Sequence, residues 1–368
     1  MGNAKIHVVA ERLSMNKTVI FHAGLPKTGT TYMQSLFVKN YKMLANNGIC
    51  YSPDLRKEQL SHDEFVKYLR GAPSRVTEAD IQKAKDTGST QLFSAETLST
   101  MDTNTLHKLK EIYAGYDIRI ILYLREWSSY TFSVWQTLIR INATSLSFIQ
   151  FYFELLNDPM KPNGVGIRNI ITPLTRLSQV FGKENLTLVL YDKIVDNNEN
   201  IFQYFVENIL QIDNCIEPAW NFDTDDKNPS LPAFFTAMVK LLNHFMSKFY
   251  PDITETRIDV ALDENINIQK QLSEYFLERY ESRKRILSIN SNTPALILLS
   301  NLIYEKFSDR IINPYSGCLF KDNEREIEYV HHEDLIQHES DIRFVRGILK
   351  KIVNSSRCRI ILPHLIWY

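Results

Sequence analysis

The run Gly24-Leu25-Pro26-Lys27-Thr28-Gly29-Thr30-Thr31 combines two glycines, one lysine and a series of hydroxyls. It follows the apolar stretch Thr18-Val19-Ile20-Phe21-His22, and helical spacing from Thr31 to Ala45 through Met33, Leu36, Phe37 and Met43 comes directly after it. A loop between a strand and a helix aims backbone N–H groups and the positive end of the helix dipole at one point, which is the chemistry of a phosphate cradle. The triphosphate-binding pattern G-x-x-x-x-G-K-[ST] has the same glycine separation, but Thr30 stands where it places lysine, and Lys27 lies three positions earlier. No aspartate follows the strand Ile118 to Leu124, which runs on into Arg125-Glu126, so a magnesium-holding partner is not supplied there.

Three further positions bring chemistry toward the same edge. Arg125 closes its strand and therefore points into the crevice outside the carboxyl ends of a parallel sheet. Ser133 follows on the flank of the helical stripe Trp127, Tyr130, Val134 and Leu138, where it can share a phosphate with Arg125. Taken singly, an exposed arginine and an ordinary helical serine are the preferred descriptions of these two residues. Glu96 follows the strand Gln91-Leu92-Phe93-Ser94-Ala95 and offers a carboxylate as general base. His62, in Ser61-His62-Asp63-Glu64, is the rival base because imidazole titrates near neutrality, although a solvated residue at a helix start fits it as well. His22, within the first strand, reads as a core histidine that orients the loop.

His22-Ala-Gly-Leu-Pro-Lys27-Thr-Gly-Thr-Thr31 resembles the 5′-phosphosulfate loop of sulfotransferases that use 3′-phosphoadenosine 5′-phosphosulfate (PAPS), most closely the carbohydrate-type and bacterial members. Arg125-x7-Ser133, in order behind the loop, is similar to the family's 3′-phosphate element. The resemblance implies PAPS as donor without a metal, and Lys27, Thr28, Gly29, Thr30, Thr31, Arg125 and Ser133 as the residues that hold it. It also places Tyr191 by the adenine, a position that a buried core tyrosine fills equally well. Lys27 would carry positive charge to the departing phosphate oxygen, with Glu96 or His62 as base. Asn228-Pro229-Ser230-Leu231 looks like a segment of bacterial members, and a helix N-cap at Ser230 explains the same residues.

These residues need a scaffold, and the first two thirds of the chain supply its pattern. Strands are predicted at Thr18 to His22, Gln91 to Ala95, Ile118 to Leu124 and Leu186 to Tyr191. Helical patterns lie between them near His62 to Leu69, Glu78 to Lys85, Asn104 to Tyr113, Trp127 to Ile141 and Arg168 to Phe181, long enough for parallel crossovers. The pattern is then mostly helical, over Leu231 to Phe249, Ile266 to Ile286 and Pro294 to Phe307. The expected fold is a three-layer α/β domain with a central, mainly parallel sheet, similar to nucleotide kinases, plus a helical C-terminal extension. The expected boundary lies near 260, with a PAPS-binding domain at 1–260 and a mostly helical region at 261–368.

Composition narrows the function classes. Lys and Arg number 42 against 43 for Asp and Glu, which leaves no global basic field for nucleic acid. The four cysteines lack the paired spacing of zinc or redox sites. No stretch reads as a signal peptide or a membrane span, so a soluble, cytoplasmic protein is expected. The acceptor is expected to be a saccharide or another small hydroxylated metabolite, and nothing specifies the oligomeric state. A divergent small-molecule kinase and a non-catalytic module with a PAPS-like site are the competing readings; the displaced lysine speaks against the first, and Lys27 beside two candidate bases speaks against the second.

Overall fold

The computed structural model describes residues 17–354, apart from 89, 142–143, 145, 158–169, 214, 216–218, 223–231, 252, 254–257, 291–292 and 322–323. The chain groups into two compact units, one drawn from Met1–Glu126, Asn169–Asn228 and Leu298–Lys321, the other from Trp127–Arg168, Pro229–Ile297 and Asp322–Tyr368.

The first unit is built on a five-stranded parallel sheet: β1 (Thr18–His22), β2 (Ile49–Cys50), β3 (Thr90–Ser94), β4 (Asp117–Leu124) and β5 (Leu186–Leu190), in the order β2-β3-β1-β4-β5. Every residue of β1 is buried, as expected of a strand with neighbours on both edges and cover on both faces. In register, His22 lies opposite Ser94 of β3 and Ile121 of β4. Because the sheet continues from β1 toward β3 on one side and β4 on the other, the carboxyl end of β1 is a topological switch point, where open α/β sheets hold ligands.

Side chains alternate across the sheet. Ile20, Leu92, Ile121, Tyr123 and Val189 join a core with Leu36 and Phe37 of the helix Thr30–Lys39 and Phe202, Phe205 and Val206 of the helix Ile201–Asn208. On the opposite face Phe21 stacks on Phe93 at 5.2 Å between ring centroids, and both meet Tyr113. Unequal edges complete the sheet. Only two residues of β2 pair with β3, whereas β5 is lined by 311–313, where Asn313 Oδ1 accepts from Leu190 N at 2.7 Å and its Nδ2 donates to Leu190 O at 3.0 Å.

The four strands read from the sequence are present, and β2 joins them. The helix expected over Thr31 to Ala45 is broken at Asn40, whose amide donates to Leu36 O and to Asn221 O and accepts from Asn221 N, so the chain bends into Thr30–Lys39 and Tyr41–Asn46. The expected strand residue Tyr191 instead opens the short helix Tyr191–Asp196.

The second unit is mostly helical. The helix Ala233–Phe249 meets Trp127–Arg140 through bonds from Gln136 Nε2 to Thr236 Oγ1 and from Asn243 Nδ2 to Ile139 O. The helix predicted over Ile266 to Ile286 ends at Arg283, and Arg285–Asn290 becomes β6, antiparallel to β7 (Glu324–Tyr329). Leu287 lies opposite Ile327, and Arg285 pairs with Asp334 at 3.1 Å, so long-range partners override the helical reading of this segment. The segment Asn228-Pro229-Ser230-Leu231 lies outside the described residues. Among the described residues, no helix is long and apolar enough to cross a membrane.

Candidate active site

The loop after β1 turns through two residues with left-handed backbones, Lys27 at φ 68° and Gly29 at φ 77°. The left-handed backbone favours glycine at the second, where a Cβ would also lie 2.3 Å from Ile201 Cδ1. At Gly24 a Cβ would lie 2.5 Å from Thr30 Cγ2, so this glycine lets the threonine methyl pack onto the loop. Lys27 adopts a conformation that costs a non-glycine residue on the order of 1–3 kcal/mol unless its surroundings hold it. Two bonds do so. Thr28 Oγ1 donates to Leu25 O at 2.6 Å, and Arg125 Nη1, from the end of β4, donates to Lys27 O at 2.7 Å.

Gly29 is the N-cap of the helix Thr30–Lys39, whose first turn contains no acidic residue. The helix therefore presents its positive end to the loop without an acid of its own, and a carboxylate from another element approaches instead. Glu96, just beyond β3, accepts a hydrogen bond from Thr30 Oγ1. Burial raises the Glu96 carboxyl above the usual carboxylate range; the Thr30 hydroxyl and the charge of Lys27 offset part of this, and Asp63 adds to it. A half-buried carboxyl group with raised proton affinity thus lies beside the loop, within reach of the charge of Lys27.

Behind Glu96 lies a buried polar hub centred on Ser94. Its hydroxyl lies 2.8 Å from His22 Nδ1 and accepts from Gln34 Nε2 at 3.1 Å. The Ser94 N–H donates to His62 Nδ1 at 3.2 Å, and its carbonyl accepts from His62 N at 2.9 Å. Edge-on contacts with Tyr51 and Phe93 wall in the His62 ring. Burial pushes both His22 and His62 down to about 3, with the positive charge of Arg56 contributing at His62. Each ring is thus neutral near pH 7, and His62 has the surroundings of a residue that braces β3.

Arg125 reaches from Lys27 O to the other side of the loop, lying 3.9 Å from Asp192 and 5.2 Å from the centre of the Tyr191 ring. Asp192 in turn accepts from Glu126 N at 2.6 Å. Burial raises the Asp192 carboxyl, partly offset by that N–H and by Arg125. Tyr191 also comes near Gly29, its Cε2 lying 3.5 Å from the position a Cβ there would take. Lys27, Thr28, Gly29, Thr30, Glu96, Arg125 and Tyr191 therefore meet at the carboxyl ends of β1, β3, β4 and β5. Thr31 is exposed on the first turn of the helix. Ser133 belongs to the second unit, half-buried on Trp127–Arg140, with its carbonyl accepting from Thr137 Oγ1 at 3.0 Å.

Sequence reasoning passed over Asp192, Asp63 and Ser94. Asp192 directly follows Tyr191 beyond a strand end, which is the same positional signal that marked Arg125 and Glu96. Asp63 adjoins His62, accepts from Thr97 Oγ1 at 2.5 Å and acts on Glu96 through its charge. Ser94 gave no signal, because a serine closing a buried strand is chemically ordinary until its partners are known.

No family model and no curated protein matches the chain. Among solved structures, a sulfotransferase from Alicyclobacillus acidocaldarius is similar at 16% identity and a TM-score of 0.34, over 64% of this chain and 93% of that one. A mouse sulfotransferase complexed with PAP is similar at 12% identity and a TM-score of 0.32, over 75% of this chain and 95% of that one.

Proposed function

We propose that the protein transfers a sulfuryl group from PAPS to a hydroxyl or amine acceptor. The observation that carries this reading is the loop itself. Its sequence resembles a phosphosulfate loop, and its lysine lies at the carboxyl end of β1 with its charge acting on the carboxylate of Glu96. Thr30 occupies the position a triphosphate loop gives to lysine, which favours sulfuryl over phosphoryl transfer.

In the proposed reaction the acceptor oxygen or nitrogen attacks sulfur in line, and the bond from sulfur to the 5′-phosphate oxygen breaks. Glu96 takes the acceptor proton, and the departing oxygen leaves as the phosphate of 3′-phosphoadenosine 5′-phosphate (PAP). Lys27 and the N–H groups of Gly29, Thr30 and Thr31 balance the charge that builds there, with the hydroxyls of Thr28 and Thr30 nearby. Tyr191 is assigned to the adenine and Arg125 to the 3′-phosphate. The assignment of Ser133 to that phosphate rests on the Arg-x7-Ser spacing alone. The roles open to residues 266–368 are shaping the acceptor site, self-association and binding a partner, and the proposed acceptor is a saccharide or another small hydroxylated metabolite.

The test is incubation with sulfur-radiolabelled PAPS and a panel of hydroxylated acceptors, following label transfer and PAP formation together. Wild type is expected to label an acceptor. Glu96→Gln should lose at least about 99% of that turnover while still binding PAP, and His62→Asn should retain it in proportion to folded protein. Full activity in Glu96→Gln with loss in folded His62→Asn would transfer the base to His62.

A further inference from the structure

We infer that Glu96 closes the phosphate loop before the donor arrives and is released by it, with the Thr30 hydroxyl passing from the carboxylate to the incoming phosphate. This rests on the sulfuryl-transfer reading of the same loop. It adds an order of events and gives Thr30 a positioning task.

Four observations carry it. Thr30 is the first residue of a helix that opens on a phosphate-type loop, and it is buried. Its methyl packs at Gly24, where an added Cβ would lie 2.5 Å from Cγ2, while its hydroxyl faces Glu96. The single hydrogen of that hydroxyl is donated to Glu96 Oε1, a carboxyl oxygen at the first residue of the helix. The backbone that carries Glu96 is held independently: Glu96 O accepts from Ser99 Oγ at 2.7 Å, and Thr97 is tied to Asp63 and to Arg70. The Glu96 side chain can therefore give up Thr30 without unravelling its own turn.

A hydroxyl has one proton, so a phosphate oxygen and the carboxylate cannot both receive it. Donor binding withdraws the hydrogen bond that favours the charged carboxylate and adds negative charge beside it, while Asp63 keeps repelling from its own side. Both changes increase the proton affinity of Glu96. The carboxylate thus becomes a stronger base when the donor is in place, and a poorer one when an acceptor or water enters alone.

The experiment is calorimetric titration with PAP in buffers of different ionisation enthalpy, at about pH 6 to 8, which reads proton uptake together with affinity. Wild type should take up more protons than Glu96→Gln. Thr30→Val, which keeps the shape and loses the hydroxyl, should remove most of that difference, and Thr30→Ser should restore it. Glu96→Gln should tighten PAP about fivefold in the wild-type background and by clearly less in Thr30→Val. Equal uptake by wild type and Glu96→Gln, or the same tightening in both backgrounds, would overturn the inference while leaving the donor reading intact. Failure of folded wild type to bind PAP would overturn the donor reading and the inference with it.

Discussion

Two carboxylates, one in each unit, show how differently this chain treats buried charge. Asp341, at the start of the helix Glu339–Asn354, accepts from Tyr275 Oη, Arg279 Nη1, Gln337 N and His338 N at 2.8–3.0 Å. Burial raises its carboxyl most strongly of any single influence, yet the four donors together bring it down to about 2. Glu96 receives one hydroxyl, and its carboxyl stays above the ordinary range. A saturated carboxylate is fixed in charge and serves as a structural tie. An undersupplied one, beside a lysine and a helix N-terminus, is free to exchange protons.

The largest expected effect breaks the structural half of this contrast. Asp341→Ala should destabilise its unit by about 3–5 kcal/mol, because it removes the carboxylate that pairs with Arg279 and leaves two backbone N–H groups without their acceptor. Chemical denaturation followed by peptide-resolved hydrogen exchange would show it. A loss below about 1 kcal/mol would make the four-donor cluster incidental.

Next comes Lys27→Ala, expected to lower sulfuryl transfer about a hundredfold, or about 2.7 kcal/mol, with a smaller change in PAP affinity. Kinetics with PAPS varied at saturating acceptor separates the two. Equal losses in kcat and in binding would make Lys27 a positioning residue.

A further way to separate the two regions is acid sensitivity. His22 and His62 have folded values near 3 against an ordinary 6.5, so the unfolded chain binds more protons between those limits. Their contribution is complete above about 6.5 and is lost as pH falls toward 3, at up to about 1.4 kcal/mol per unit for each ring. Asp341 holds its charge until pH approaches 2. On lowering pH from about 7.5 to about 5, corrected exchange protection should therefore fall further in β1 and β3 than in the helix Glu339–Asn354. A uniform decline would dissolve the distinction between the two regions.

The sequence exposed the parts of this contrast that depend on local pattern. A strand, a glycine-containing loop and a helix in succession located Lys27, and position after a strand located Glu96 and Arg125. Features set by distant partners escaped. The helix break at Asn40 depends on Asn221, and the pairing of β6 with β7 joins segments more than thirty residues apart. His62 carried two readings because exposure alone separates a titrating imidazole from a neutral brace, and its burial comes from Tyr51 and Phe93. The four donors on Asp341 come from one helix and a turn far apart in the chain, a convergence set by the fold.

The most direct test of the donor site is parallel calorimetric titration with PAP, AMP and ATP–magnesium. PAP should bind without metal at least about tenfold tighter than AMP, and Arg125→Ala should remove most of that preference, about 2 kcal/mol or more where the gap allows. Equal affinity for PAP and AMP, or binding of ATP–magnesium alone, would contradict a site built around Lys27 and Arg125 for a 3′-phosphorylated sulfuryl donor.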